Sequence, residues 1–157
     1  AGKGGVQMTF TLDHIVDSLA GVLTSRYSAY PVYDSPNPQG TEPPCFFIFF
    51  MPSTIEGQVG ERFLRDLGVD IVFVQERNIV NANAEILQIA DYLDTVLELF
   101  PYSDGGSETA WVRTYERQWQ TEDGELHYQF HIRERVRLPE EGNPMQEMEE
   151  RYGIKGK

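Results

Sequence analysis

The chain has 157 residues, 40% of them hydrophobic, which is enough for one ordinary domain that buries about two thirds of its unfolded surface. Its 25 acidic and 13 basic residues give a formal net charge of -12, which disfavours a general binder of nucleic acid or anionic membranes. The single cysteine, Cys45, excludes an intrachain disulfide framework and a zinc ribbon. No apolar run approaches the roughly 20 residues of a membrane span, and no signal peptide is recognised, so we expect a soluble protein or subunit.

The start of the chain has the composition of an added segment. Residues 1–7 contain three glycines and no hydrophobic period, and Met8 follows them as a plausible natural initiator, so we expect an expression remnant there. From Thr11, apolar residues recur at helical spacing, and this pattern predicts a helix that ends near Tyr27.

The next segment is rich in proline. Six proline and glycine residues between positions 31 and 44 break the backbone repeatedly, so this stretch can hold at most a short edge strand around Val32 and Tyr33. Residues 45–51 are apolar at every position and rich in β-formers, which predicts a central strand covered on both faces. A second extended run at 62–75 then predicts a long hairpin whose tip, residues 53–61, protrudes.

A second helix follows the hairpin. Asn81 or Asn83 is expected to cap it, apolar residues from Ile86 to Phe100 line one of its faces, and Pro101 is expected to end it.

The last predicted element is a hairpin whose register can be assigned from its turn. Asp123-Gly124 is a strong two-residue turn signal, which places Glu122 opposite Glu125. One face then pairs Trp119 with Tyr128, Arg117 with Phe130, Tyr115 with Ile132, Arg113 with Glu134 and Trp111 with Val136. The other face carries Glu116 against His131 and Gln118 against Gln129, and then an unmatched row, Arg133, Arg135 and Arg137.

These elements predict an α+β domain over residues 8–138, with a mainly antiparallel sheet of four to five strands and two helices packed on one face. Residues 139–157 are acidic and poor in apolar side chains, so we expect a C-terminal tail that is disordered alone.

Candidate catalytic groups do not assemble into a site at the level of sequence. His127 and His131 share a strand face but lie about 13 Å apart, which is too far to bind one metal. His14 is expected to face solvent, and Cys45 to be a small core residue. The motifs of phosphate-binding loops, dinucleotide folds, nucleophile elbows and paired-histidine metalloproteases are missing, so we predict no enzyme activity, no metal and no cofactor.

The placement of charge is more informative. The segment 78–112 contains six acids and no lysine or arginine, and three of the acids, Asp91, Asp94 and Glu98, form one stripe on the second helix. This stripe is either a solvated helix face or a surface for a basic partner or a channel that repels DNA. The arginine row could meet the acids of the next subunit in a ring, and pairing within one subunit is equally allowed.

The proline-rich loop and the strand after it carry a family resemblance. The runs Val32-Tyr33-Asp34, Gln39-Gly40 and 43–48 (PPCFFI), set after an N-terminal helix, resemble the phage tail terminator family of phages, prophages and phage-like tail particles. The order helix, strand, strand, helix, hairpin also resembles this family, over roughly residues 8–138.

The resemblance implies a structural protein of the virion tail. It implies a ring, commonly of six copies, that caps the tail tube, stops its polymerisation and joins the neck, the head or the sheath end, while DNA passes through the lumen without specific binding. Such a protein would be made in the bacterial cytoplasm and would contact the tail tube protein and neck or sheath proteins, but no membrane.

Contacts between subunits or with partners are expected in four groups of residues: the hairpin tip, the acidic stripe, the arginine row and the apolar residues of the tail. The tail is included because apolar residues in an otherwise disordered segment allow it to become ordered on a partner. They are Ser53, Ile55, Glu56, Gln58, Glu61, Asp91, Asp94, Glu98, Arg133, Arg135, Arg137, Met145, Met148, Tyr152 and Ile154. A neck or head-completion connector would also be a small acidic ring-former, and a small α+β enzyme or ligand-binding domain is a further alternative.

Overall fold

The computed structural model describes residues 9–35, 41–60 and 62–136. The predicted remnant and the whole predicted acidic tail therefore lie outside the described residues. Within these ranges the chain forms two helices and six strands. In chain order these are α1 (Leu12–Arg26), β1 (Val32–Tyr33), β2 (Cys45–Gln58), β3 (Arg62–Val74), α2 (Ala82–Val96), β4 (Leu99–Tyr102), β5 (Ala110–Glu122) and β6 (Glu125–Val136).

The six described strands form one mixed sheet in the order β1-β2-β3-β6-β5-β4. β1 runs parallel to β2, and the other neighbouring pairs are antiparallel. The α+β class and the mainly antiparallel sheet are thus confirmed. The predicted number of four to five strands is too low, because β4 forms where the sequence pattern extended the second helix.

Helix α1 begins and ends where its pattern predicts. Thr11 is the N-cap, and its hydroxyl accepts a hydrogen bond from the backbone N–H of His14. Tyr27 is the C-cap and donates its backbone N–H to the carbonyl of Leu23. The inner face of the helix is fully apolar, so the helix packs on the sheet through side chains of one stripe. These are Ile15, Leu19, Val22 and Leu23.

Helix α2 starts at the predicted position but ends earlier than predicted. Its N-cap is Asn81, which has a left-handed backbone (φ 62°) and makes no side-chain capping bond. The helix ends at Val96, and the chain enters β4, so Phe100 and Pro101 are strand residues. Pro101 is tolerated there because β4 is an edge strand, where a missing N–H leaves no gap in the sheet ladder.

Both helices pack on the same face of the sheet. The core joins their apolar stripes to the inward-facing positions of β2, β3 and β6, such as Phe46, Phe73 and Tyr128, all of them fully buried. Alternating positions along these strands therefore face the helices, and the positions between them form the opposite face, which the described helices do not cover. We call this second surface the open face.

The prediction that β2 is central and covered on both faces is wrong. β2 lies next to the edge strand β1, which pairs with Phe46 and Phe47. On the open face, Phe47 and Phe49 are partly exposed and stack on each other with ring centroids 5.5 Å apart. A continuous apolar run does not distinguish a fully buried strand from one whose outer aromatic rings cover each other.

The β5–β6 hairpin has the predicted turn but a different register beyond its midpoint. Asp123 and Gly124 both have positive φ, as a two-residue turn requires. The pairs Trp119–Tyr128 and Gln118–Gln129 form as predicted. A β-bulge then inserts one extra residue into β5, and Tyr115 pairs with His131.

The bulge exchanges the faces of the first half of β5. Glu116 occupies it with φ 56°, and beyond it Val112 and Thr114 face the core, where Thr114 Oγ1 donates a 2.6 Å hydrogen bond to the carbonyl of Leu97. The predicted pairs of Tyr115 with Ile132, Arg113 with Glu134, Trp111 with Val136 and Glu116 with His131 are therefore wrong. The side chains of Trp111, Arg113 and Tyr115 are exposed.

Candidate assembly surfaces

One exposed feature is the far end of the β2–β3 hairpin, residues 53–60 and 62–65, which we call the arm. Every residue of β2 from Pro52 to Gln58 is exposed, and this group includes the predicted contact residues Ser53, Ile55, Glu56 and Gln58. Val59 at the tip is 97% exposed. The predicted contact residue Glu61 lies outside the described residues.

A bulge in β2 sets the direction of the arm. Two residues of β2, Pro52 and Ser53, lie opposite Leu67 of β3. The hydroxyl of Ser53 donates to the carbonyl of Met51 (2.9 Å) and accepts from the N–H of Gly68 (3.2 Å), so it satisfies backbone groups that the bulge separates. Ser53 therefore shapes the arm as well as being exposed on it.

Gly68 permits this geometry by lacking a side chain. A Cβ atom at this position would lie 3.0 Å from Met51 Cβ and 3.3 Å from the carbonyl oxygen of Pro52. The two strands thus approach closely at the bulge, while β3 stays paired with β6 as far as Phe63 and Val136.

The open face carries a network of charged side chains near the arm. His131 Nδ1 lies 2.7 Å from Asp66 Oδ1, and Arg133 Nε donates to Asp66 Oδ2 at 3.2 Å. Arg133 also pairs with Glu116 at the β5 bulge and lies over the ring of Tyr115, 4.8 Å from its centroid. Burial would raise the pKa of Asp66, but the bonds from His131 and Arg133 hold it below its ordinary value.

A second histidine–carboxylate pair lies nearer the β5–β6 turn. His127 Nδ1 is 3.1 Å from Asp70 Oδ2, and His127 Nε2 is 3.4 Å from Glu125 Oε1. Burial alone would lower the pKa of His127, but the hydrogen bond and charge of Asp70, with the charge of Glu125, raise it above its ordinary value.

The arginine row is not unmatched. Arg133 is paired with Asp66 and Glu116, and exposed Arg135 donates from Nε to Gln58 Oε1 at 3.3 Å. Arg133 thus pairs within the subunit with acids of β3 and β5 and not with the predicted stripe, because β3 lies beside β6 and brings Asp66 opposite Arg133. Arg137 lies outside the described residues.

The three acids of the predicted stripe lie in three environments, and Glu98 is not part of α2, because the helix ends at Val96. Asp94 accepts a 2.5 Å hydrogen bond from the hydroxyl of buried Tyr128, and Glu98 forms a 3.5 Å ion pair with Arg113. Asp91 is exposed. The predicted contact residues of the tail, Met145, Met148, Tyr152 and Ile154, lie outside the described residues.

The candidate catalytic groups occupy ordinary structural positions. Cys45 is fully buried, and burial raises the pKa of its thiol, which disfavours the reactive thiolate. His14 is partly buried, with Nδ1 2.8 Å from the capping hydroxyl of Thr11, so its predicted exposure is only partial. Among the described residues, no group of three or more histidine, cysteine or acidic side chains could hold a metal ion, and no helix is long and apolar enough to cross a membrane.

Sequence reasoning missed one surface. A groove of about 660 Å³ lies between α1, the C-terminal end of α2, and the strands β4 and β5. The large apolar side chains Trp111 and Leu99 line it and are 65% and 41% exposed. Trp111 is the residue that could have indicated this groove, but the predicted register paired it with Val136.

The arm, the charged open face and the exposed groove are surface features of the kind through which a protein contacts other proteins. Residues 14–144 match a family model described as phage tail terminator protein. The chain therefore belongs to the phage tail terminator family, a structural family of the phage tail. No curated protein sequence matches the chain significantly.

Proposed function

We propose that the chain assembles into a ring, commonly of six copies, that caps the completed tail tube. In this role the ring stops polymerisation of the tube protein and forms the junction with neck or head proteins, or with the sheath end in a particle without a head. The match of residues 14–144 to the terminator family is the observation that carries the proposal. The protein would be made in the bacterial cytoplasm and end in the virion tail.

The arm supports an interface role for the hairpin tip. Its side chains at Ile55 and Val59 are apolar and exposed, and exposed apolar side chains at the end of a hairpin favour contact with another protein. We propose that Ser53, Ile55, Glu56, Gln58 and Glu61 contact neighbouring subunits.

The charges support passage of DNA without specific binding. The chain has a net charge of -12, and α2 exposes Asp91 in a region without lysine or arginine. A negatively charged lumen would repel the DNA backbone and let it slide. Among the described residues of the predicted stripe and row, Asp94 is hydrogen-bonded to Tyr128, and Glu98 and Arg133 are in ion pairs. Asp91 and Arg135 could therefore contact a partner without breaking such a bond to a charged side chain.

A polymerisation assay tests the capping role. Purified tail tube protein is allowed to form tubes with and without the chain, and tube lengths are measured by electron microscopy. We expect shorter tubes as the ratio of chain to tube protein rises. Tube lengths that do not depend on the chain would contradict capping and would favour the connector alternative.

A matched pair of variants tests the arm in the same assay. Val59→Asp places a charge at the arm tip, and Val80→Asp places one at a position that is 82% exposed but lies between β3 and α2. We expect Val59→Asp to lose most of the shortening effect and Val80→Asp to keep it. Equal behaviour of the two variants would remove the arm from the proposed contact.

A further inference from the structure

The groove beside α1 is an apolar depression open to solvent. Its volume, about 660 Å³, lies within the range of clefts that enclose a bound group. Its walls include Val96, Leu99, Pro101 and Trp111, so its apolar residues are contiguous and are not scattered singly over the surface.

The floor of the groove lets a side chain from outside approach α1 closely. Ser18, Gly21 and Ser25 line it, and a Cβ atom built on Gly21 would meet nothing within 4 Å. Among the lining residues, Asp17 is acidic and none is lysine or arginine. The groove therefore suits a segment that carries apolar side chains together with positive charge.

The described part of the chain ends close to this groove. Ile132 of β6 pairs with Thr114 of β5. Because these strands are antiparallel, Val136 at the end of β6 lies level with Ala110 at the start of β5. Ala110 pairs with Tyr102 of β4, and the residues of β4 and β5 that line the groove lie beside this pair. Two strand spacings, about 10 Å, separate β6 from β4.

The chain that follows Val136 is long enough to reach the groove. Eight residues, 137–144, lie between Val136 and Met145. An extended chain spans at most about 3.6 Å per residue, so Met145 could lie anywhere within roughly 30 Å of Val136. The edge of the groove at β4 lies well inside this distance.

The sequence beyond residue 142 has the anchor pattern of a helix that binds in a groove. Met145, Met148 and Tyr152 are spaced at i, i+3 and i+7, the positions through which such a helix inserts its apolar side chains. Asn143 is followed by a proline and, three residues later, by a glutamine, which is a helix-start signal. Gly153 is a typical stop signal.

The charges of this segment are arranged to suit the groove. The five glutamates after residue 138 all precede Arg151, whereas residues 151–157 contain three basic residues and no acid. On a helix, Glu147 and Glu150 would lie on the side opposite the three anchors. The segment would therefore turn two of its acids away from the groove and bring positive charge toward the carboxylate of Asp17.

The other segments outside the described residues lack this pattern. Residues 36–40 contain no large apolar side chain. Residues 1–8 contain Val6 and Met8, which are two positions apart, and residues at this spacing do not share a helix face.

We propose that residues 144–154 occupy the groove of the same subunit. Met148, the middle anchor, then covers Trp111. The tail shields the apolar surface of the free subunit from other proteins, so the contact is self-inhibitory, and it does not depend on the capping role.

Tryptophan fluorescence of the full-length chain tests this cover. Trp119→Phe leaves Trp111 as the only tryptophan, and Trp111 is 65% exposed in the described structure. We expect acrylamide to quench Trp111 weakly, because the tail covers the ring.

A matched pair of tail variants tests the anchor. In the Trp119→Phe background, Met148→Asp places a charge at the middle anchor, and Gln146→Asp places the same charge away from the anchor positions. We expect Met148→Asp to raise the quenching constant at least twofold and Gln146→Asp to leave it unchanged, with folding of both variants verified by thermal unfolding. Equal quenching constants in these two variants would contradict the proposal.

Cysteine cross-linking identifies what the tail binds. Gly21→Cys/Met148→Cys places one thiol in the groove and one on the tail, while native Cys45 is fully buried. We expect oxidation of the dilute full-length variant to form a disulfide within one chain, since a disulfide forms where Cα atoms come within about 7 Å. Faster migration of the monomer on a non-reducing gel detects it.

The control for cross-linking moves the groove thiol to another exposed position. Thr121→Cys/Met148→Cys places it near the β5–β6 turn, at the end of the sheet away from Val136. We expect at least tenfold less linked monomer from this control.

The outcomes separate this inference from the proposed function. Disulfides found only between two chains would assign the groove to the tail of a second copy and overturn the contact within one subunit. No link from either variant, together with strong quenching of Trp111 when the tail is unchanged, would show that the tail does not bind the groove. The capping role is tested separately by the lengths of the tubes.

Discussion

The hydroxyl group of Tyr128 donates a 2.5 Å hydrogen bond to Oδ1 of Asp94, which joins the middle of β6 to the last turns of α2. Tyr128 is fully buried, whereas Asp94 lies on the exposed side of its helix. Burial, together with the hydrogen bond and charge of Asp94, raises the pKa of the Tyr128 phenol, so the group remains a proton donor at physiological pH. An acid of the predicted stripe thus anchors a helix to the sheet.

Replacing Asp94 is expected to destabilise the fold. Asp94→Ala removes the acceptor of a buried hydroxyl group, which costs about 1–3 kcal/mol in the free energy of unfolding. The control Asp91→Ala removes an exposed acid one turn earlier, and we expect a change within about 0.5 kcal/mol. Urea denaturation measures both, and equal changes would show that the Tyr128–Asp94 bond does not stabilise the fold.

Two glycines of the β2–β3 hairpin are expected to respond oppositely to the same substitution. Gly68→Ala forces a Cβ against Met51 Cβ at 3.0 Å, so we expect a loss of about 1–3 kcal/mol in the free energy of unfolding. Gly57→Ala meets nothing within 4 Å and should be neutral or slightly stabilising. Thermal and urea unfolding distinguish the two, and a Gly68→Ala variant as stable as Gly57→Ala would contradict the close approach at the bulge.

The His127–Asp70 pair near the β5–β6 turn is expected to make the free energy of unfolding depend on pH. The pKa of His127 in the folded state lies above 6.5, its ordinary value, so protonated His127 stabilises the fold fully below about pH 6.5. This stabilisation is lost as the pH rises through the raised pKa. Asp70→Asn removes the largest raising contribution, and we expect the pKa of His127 to fall.

Nuclear magnetic resonance titration of His127 measures this shift, and unfolding at pH 5.5 and pH 8 measures its effect on stability. Asp91→Asn serves as the control, since Asp91 is an exposed acid of α2 and is not among the groups that shift His127. If His127 has the same pKa in Asp70→Asn as in the unchanged chain, Asp70 does not raise the pKa of His127.

The parts of the fold that sequence predicts well are those with local signals. The threonine cap fixes the start of α1, and the Asp123-Gly124 turn fixes the register of its hairpin as far as Gln118. Alternation fixes the inward face of β3. Each depends on residues that are adjacent or nearly adjacent in the chain.

The bulge at Glu116 carries no such signal. Positive φ is uncommon for a glutamate, so nothing in the local sequence indicates that β5 gains a residue there. One extra residue exchanges the two faces of a strand. The predicted register lacks this residue, so it assigns Trp111 and Tyr115 to the wrong face of β5.

Sequence predicts the candidate surfaces that consist of neighbouring residues, but not those that consist of residues far apart in the chain. The exposed hairpin tip follows from two strands joined by a glycine-bearing segment. The groove is assembled from two helices and two strands that are far apart in sequence, so it appears only when these elements pack. The partners of Arg133 were hidden for the same reason, because Asp66 lies 67 residues away.

Electron microscopy of tail particles, with the density of this chain assigned along the whole tube, tests most directly whether the chain caps the tail tube. We expect a single ring at the end of the tube away from the baseplate. Density at another place in the particle, or particles that lack the chain, would contradict it.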